Sequence, residues 1–167
     1  MTCAETLVVG TSETYLQFTI CRYIDFMFHL IIHPRPTSAA EQARIQLGIR
    51  RVTTLSVTPG QLTDRFELSF EEVAQRLSEL PRMFLEPDGS FVWVVDDLDR
   101  QYQLDGSLYD DGVRLLHVEL KGTCDSAALD TFLSRLGWPT QSVIFQLVRQ
   151  GIYLSEGEFR RFAFGNM

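Results

Sequence analysis

The sequence predicts a single α+β domain in which a mainly antiparallel sheet, built from hairpins, is covered by about three helices. One observation behind this prediction is a hydrophobic period of two from Leu16 to Ile32, which is typical of a strand. The others are capped segments with a helical period and tight-turn sequences between apolar runs. With 167 residues, 45% of them apolar, the chain is long enough to bury a full core.

The first part of the domain, residues 1–68, is predicted to hold N-terminal strands and one short helix. Apolar residues at the even positions of 16–32 indicate one bent strand or two consecutive strands. Ser38 and Glu41 have the spacing of a capping box, so a short helix is expected to follow and to end at Gly48.

The same part of the chain carries three further expectations. Residues 51–57 alternate as a strand does, and Pro59-Gly60 predicts a type II turn. His29 and His33 have the spacing of a helical metal pair, but on a strand they lie about 13 Å apart. We therefore do not expect these two histidines to share a metal ion.

The remainder of the single domain, residues 69–167, is predicted to be a helix–hairpins–helix core. Ser69 and Glu72 repeat the capping spacing, and apolar residues follow at helical intervals from Phe70 to Leu80. Pro81 then ends the helix.

Two hairpins are predicted after this helix, each marked by its turn sequence. Glu86-Pro87-Asp88-Gly89 separates strand-like residues 83–85 from 91–95. Asp110-Asp111-Gly112 separates residues 101–109 from 113–121.

Helical signals return towards the end of the chain. Asp125 can cap a helix that ends at Gly137, and Ser155 with Glu158 opens a last helix through Phe162. Between them, residues 142–148 are compatible with a strand or a helix.

The second hairpin predicts where its side chains meet. A three-residue loop that ends in Gly112 pairs Tyr109 with Val113, and this register places Asp105 opposite His117. Side chains alternate between the two faces of a sheet, so the even positions are expected to face the core. The odd positions then form a polar face, which carries Gln103, Asp105, Ser107, His117, Glu119 and Lys121.

Part of this polar face resembles a known family. Asp105, followed after 13 residues by Glu119-Leu120-Lys121, is similar to the motif of the PD-(D/E)xK nuclease superfamily, over about residues 69–150. The resemblance implies a nuclease-like fold and hydrolysis of phosphodiesters. Asp105 and Glu119 would hold Mg²⁺, and Lys121 would be the catalytic residue that positions water.

Charge favours a different reading of the same residues. The net charge is −7, and the segment from Glu86 to Asp111 contains eight acidic residues and one basic residue. Nucleic-acid binding depends on lysine and arginine, so a protein or small-ligand partner is favoured over nucleic acid. The leading interpretation is a noncatalytic binding module, and the alternative is the Mg²⁺-dependent nuclease.

Cysteine content and hydropathy indicate the cellular compartment that is expected for the protein. Cys3, Cys21 and Cys124 are odd in number and have no metal-binding spacing, which favours the reducing cytoplasm. Residues 16–32 include charged positions and are too short for a membrane span. Cys124 precedes a predicted helix, so a reactive thiol with a depressed pKa is a further hypothesis.

Overall fold

The computed structural model describes residues 27–97 and 100–165, which form one antiparallel sheet of nine strands with three α-helices. The predicted α+β class is therefore confirmed. The strands are β1 (Phe28–Pro34), β2 (Ala40–Leu47), β3 (Arg50–Ser56), β4 (Met83–Leu85), β5 (Ser90–Asp97), β6 (Arg100–Asp110), β7 (Leu115–Gly122), β8 (Val143–Leu147) and β9 (Ile152–Ser155). The helices are α1 (Phe70–Ser78), α2 (Ser126–Arg135) and α3 (Glu156–Phe164).

The sheet order is β2-β3-β9-β8-β1-β7-β6-β5-β4, so β1 lies near the centre between β7 and β8. The predicted strand at 16–32 is confirmed from Phe28 onwards, and its positions 16–26 lie outside the described residues. Residues 142–148 prove to form β8, while β9 was not predicted.

Side-chain caps start all three helices where the sequence predicts them. The Ser69 hydroxyl accepts a hydrogen bond from the Glu72 amide at 3.2 Å, and Asp125 accepts one from the Ala128 amide at 2.8 Å. Ser155 caps α3 in the same way. Among the described residues, none of these helices has the length and apolar character needed to cross a bilayer.

The helices pack on one face of the sheet, which we call the core face. Phe132 of α2 contacts Phe91 and Trp93 of β5, with ring centroids 5.6 and 6.2 Å apart. Phe159 of α3 stacks on Phe145 of β8 at 4.4 Å. Because aromatic rings bury large apolar areas, these contacts hold the helices to the sheet.

The prediction of a short helix after Ser38 is wrong, because this segment forms strand β2. Leu47 pairs with Arg50, and Gly48 occupies the first position of the intervening two-residue turn with φ of +57°. Glycine adopts this conformation without strain, so it serves here as a hairpin turn residue and not as a helix stop. Pairing with β3 thus overrides the local capping signal.

The predicted turn at Pro59-Gly60 also takes a different form. Pro59–Gln61 is a single 3₁₀ turn, and the Gln61 side chain accepts a hydrogen bond from the Thr58 amide at 2.7 Å. Proline suits the first position of a helix because its missing N–H has no helical partner there.

The predicted register of the second hairpin is wrong by four positions. Tyr109 pairs with His117 and not with Val113, and Asp105 lies opposite Lys121. Since the shift is an even number, each side chain keeps its predicted face.

A longer turn causes this shift. The ladder is irregular after Tyr109, and Asp110 pairs with Leu115, so four residues form the connection. The Asp111 carboxylate accepts hydrogen bonds from the Val113 and Arg114 amides at 3.1 and 3.0 Å. An aspartate that bonds its own turn in this way lengthens the loop beyond the three residues that Gly112 suggested.

One glycine on the core face leaves room for an aromatic ring. Gly106 of β6 pairs with Phe91 of β5, and the Phe91 ring covers the backbone where a side chain would stand. A Cβ atom at Gly106 would collide with that ring and with the carbonyl oxygen of Glu119. The glycine is required here by close packing.

We therefore expect Gly106→Ala to lower the free energy of unfolding by about 1–3 kcal/mol, since overpacking forces the ring or the backbone to move. Urea denaturation would measure the change. Gly60→Ala is the matched control, because a Cβ atom there meets open space. Equal stability of the two variants would contradict this account of Gly106.

Candidate functional site

On the face of the sheet opposite the helices, the side chains are buried on some strands and accessible on others. His33, Leu55 and Ile144 on β1, β3 and β8 are buried. From β7 to β4 the corresponding side chains are half-buried or exposed. We call this second part the accessible face; it carries Phe84, Val92, Val94, Gln103, Asp105, Ser107, Tyr109, His117, Glu119 and Lys121, together with His29 of β1.

Glu119 is the centre of a hydrogen-bonded cluster on the accessible face. Its Oε1 lies 2.6 Å from His29 Nε2 and 2.8 Å from Lys121 Nζ, while Oε2 accepts a bond from the Tyr109 hydroxyl at 3.2 Å. We call these four residues the Glu119 cluster. Both carboxylate oxygens are satisfied by neighbouring side chains.

The cluster sets the charge state of its members. The bond from Lys121, followed by those from His29 and Tyr109, lowers the pKa of the Glu119 carboxyl, against a smaller rise caused by partial burial. The same carboxylate raises the pKa of Lys121. At neutral pH the pair is therefore an ion pair.

Strand register explains why these residues meet. Antiparallel pairing of β1 with β7 places His29 opposite Lys121, and Glu119 lies two positions along β7 on the same face. Tyr109 reaches Glu119 diagonally from β6, where it is paired with His117. Three separate strands thus contribute to one cluster.

The three predicted site residues lie on this one face. Glu119 and Lys121 are in contact, and Asp105 lies directly opposite Lys121 on β6. The carboxylate of Asp105 accepts a bond from the Gln103 side chain at 2.9 Å. The structure therefore brings the trio closer than the predicted register did.

These residues, as arranged, do not fit a divalent metal ion. Mg²⁺ prefers about six oxygen ligands, and both Glu119 oxygens already accept bonds from other side chains. Within residues 27–97 and 100–165, no three His, Cys, Asp or Glu side chains are grouped so that they could hold a metal.

A row of aromatic side chains borders the Glu119 cluster. The His117 ring stacks on Tyr109 at 4.7 Å and lies 5.4 Å from His33, which in turn is 6.2 Å from Tyr153. His33 Nε2 is 3.1 Å from Gln146 Oε1. All three histidines of the chain are therefore on the sheet face opposite the helices.

Burial keeps two of these histidines neutral. It lowers the pKa of His33 from 6.5 to about 4, with a smaller opposing effect of the bond to Gln146 and a further lowering by His117. Burial also lowers the pKa of His117. His33 and His117 are therefore uncharged at neutral pH.

Sequence reasoning did not identify His29 or Tyr109 as partners of Glu119. His29 and Glu119 are 90 residues apart in the chain, and only the β1–β7 pairing joins them. Tyr109 was placed on the correct strand, but the register error separated it from Glu119 in the expected hairpin. A correctly inferred turn length would have indicated the second contact.

The hypothesis of a reactive Cys124 is wrong. Burial, together with the negative charge of Asp125, raises the pKa of its thiol to about 12. These effects outweigh any lowering by the start of α2, so the thiol is protonated at neutral pH.

Two shallow pockets lie away from the Glu119 cluster. One, of about 240 Å³, is lined mainly by β3 and β9, and includes Tyr153. The other, of about 230 Å³, lies beside Trp138 at the start of α3. The chemistry of the accessible face is thus on an open surface and not in either pocket.

Comparison with known proteins does not assign the chain to a family. No family model, curated protein or solved structure matches the chain.

Glu119→Gln should lower the free energy of unfolding by about 1–2 kcal/mol at pH 7, because charge-assisted bonds to Lys121 and His29 are lost. Chemical denaturation would measure it. The low pKa of Glu119 means that the wild type loses this stabilisation as the pH falls through that pKa.

The difference between variant and wild type should therefore shrink in acid. Glu41→Gln, an exposed site on the edge strand β2, is the control and should change stability little at any pH. A difference for Glu119→Gln that is independent of pH would contradict the ion-pair account.

His33 should make the protein less stable in mildly acidic solution. Its pKa of about 4 lies below its ordinary value of 6.5, so the unfolded chain takes up a proton before the folded one does. The stabilisation is complete above pH 6.5 and about 3 kcal/mol of it should be lost on acidification to pH 4. His33→Gln should flatten the unfolding free energy over this range, and parallel profiles for the two proteins would refute the prediction.

Proposed function

We propose that this chain is a noncatalytic binding module and that its ligand contacts the accessible face. The observation that carries the proposal is a contrast within that face. The ionisable groups of the Glu119 cluster satisfy one another, whereas the ring of Phe84, three strands from Lys121 on the same face, is 65% exposed. Such a surface offers apolar contact area together with ionisable groups that are already hydrogen-bonded.

Physical chemistry supports a binding role for this combination. Covering exposed apolar side chains is favourable by about 25 cal/mol per Å² of area removed from water. A cluster that is already hydrogen-bonded does not have to be ordered when a ligand arrives, which lowers the entropic cost of association. Phe84 would supply contact area, and the Glu119 cluster would supply fixed polar groups.

The proposed partner is a protein or a small ligand. A nucleic acid would meet a chain of net charge −7, and Lys121 on the accessible face is already paired with Glu119. We also propose a cytoplasmic location, where the free thiol of Cys124 would stay reduced.

The alternative is a Mg²⁺-dependent nuclease of the PD-(D/E)xK type. One observation favours it, namely that Asp105, Glu119 and Lys121 share a face and that Asp105 lies directly opposite Lys121. For this activity Glu119 would have to exchange its bonds with Lys121 and His29 for the ion. The alternative therefore requires the Glu119 cluster to rearrange.

Binding can be tested by NMR titration of the protein with pools of short peptides and metabolite-sized compounds. We expect shifts in the amide signals of Ser107, His117 and Glu119, with no conversion of the compounds. Ser107→Arg should weaken that binding about tenfold or more, because it fills the accessible face. Ser78→Arg on α1 is the matched control, and shifts confined to the helices would contradict the proposal.

A nuclease assay distinguishes the nuclease alternative from the binding module. Supercoiled plasmid with Mg²⁺ or Mn²⁺ should remain intact in the presence of the wild-type protein. Metal-dependent nicking that is lost in both Lys121→Ala and Asp105→Asn would instead show a catalytic site.

A further inference from the structure

An apolar strip lies at the β4 end of the accessible face. Phe84 pairs with Val92, and Val94 follows two positions further along β5 on the same face. Phe84 is 65% exposed, and the two valines are half-buried. Among the described strands β4 pairs with β5 alone, so the strip reaches the edge of the sheet.

Acidic side chains border this apolar strip. Asp105 lies opposite Val92, and Glu86, which is exposed, follows Phe84 by two residues on the same side of the hairpin. Among the nearby bases, Lys121 is bound to Glu119, and Arg82 has an interaction of its own. Three acidic groups, Glu86, Asp105 and Glu119, face two basic ones, Lys121 and Arg82, so the border keeps a net negative charge.

The stretch of sequence that supplies β5 and β6 is also acidic in composition. It contains eight acidic residues and one basic residue between Glu86 and Asp111. A field of this kind attracts cationic groups and repels phosphate and carboxylate ligands. Charge complementarity therefore favours a cationic partner over an anionic one.

We propose that the ligand of the accessible face is a basic segment of a partner protein, and this inference rests on the proposed function. In that segment arginine or lysine alternates with apolar residues. The apolar residues lie on the strip of Phe84, Val92 and Val94. The cationic groups lie over Glu86 and Asp105, where the opposite charges attract.

The geometry of an extended segment suits this arrangement. Its side chains on one face recur about every 7 Å, which is also the spacing of Val92 and Val94 along β5. Arginine can rest its alkyl stem and guanidinium on the exposed ring of Phe84 while its charge meets a carboxylate. A segment with this pattern therefore uses the apolar strip and its acidic border together.

The experiment measures fluorescence anisotropy of a labelled short peptide of alternating arginine and leucine. The wild-type protein should bind it, and should not bind the peptide with glutamate in place of arginine. Raising the salt concentration from about 50 to about 500 mM should weaken binding, since the attraction is between exposed charges.

Two variants and two controls locate the site. Phe84→Ser, and the double variant Glu86→Gln with Asp105→Asn, should each bind the arginine peptide about tenfold more weakly. Val113→Ser, which also removes an exposed apolar side chain, and Glu71→Gln on α1 should bind as the wild type does. Circular dichroism of each variant confirms that it is folded.

The outcomes distinguish this inference from the function on which it rests. Equal binding by all variants would overturn the inferred site. Failure to bind the arginine peptide, with NMR shifts still present on the accessible face in the pooled screen, would overturn the partner class and leave the binding function intact. Absence of both signals would overturn both proposals.

A second copy of this chain is the remaining occupant to be tested. Its β2–β3 turn exposes Ile49, which is 96% accessible, next to Arg50 and Arg51. Sedimentation velocity without peptide should show a monomer at all concentrations. Association that is suppressed by both Ile49→Ser and Phe84→Ser would make the second copy the partner, and would overturn the assignment to a different protein.

Discussion

The pairing of β1 with β7 is the constraint on which the rest of this structure depends. It joins the half of the sheet that consists of β2, β3, β9, β8 and β1 to the half that consists of β7, β6, β5 and β4. It also buries Leu30 and Ile32 beneath the helices while it carries His29 to Glu119 on the other side. Because side chains alternate along a strand, one register decides both the packing of the core and the composition of the site.

The accessible face illustrates how a sheet can display ionisable groups without leaving them unpaired. Glu119 is partly buried, and an unpaired carboxylate there would lose hydration without compensation. Lys121, His29 and Tyr109 supply that compensation from three strands. The result is a hydrogen-bonded polar centre on the same face of the sheet as the uncovered ring of Phe84.

Features that depend on residues close together in the sequence were predicted well. Features that depend on the pairing of distant strands were not. Ser69, Asp125 and Ser155 cap the helices as expected, since a cap needs only residues within one turn. The capping spacing at Ser38 misled, because pairing with β3 overrides it. The polar face was predicted correctly even though the register was wrong, since an error of four positions preserves the alternation of side chains. The contact of His29 with Glu119 needed a strand pairing that no local pattern encodes.

The central place of β1 has a consequence for how the chain reaches its native state. This strand precedes its neighbours β7 and β8 by most of the described sequence, so a growing chain exposes it long before either neighbour exists. Closing such long loops is entropically costly, and sheets dominated by distant pairings form slowly. Meanwhile the apolar residues Phe28, Leu30 and Ile32 lie on a ribbon with two bare edges, which is a template for intermolecular association. Nascent chains that stop short of Leu115 would therefore be those most dependent on chaperones.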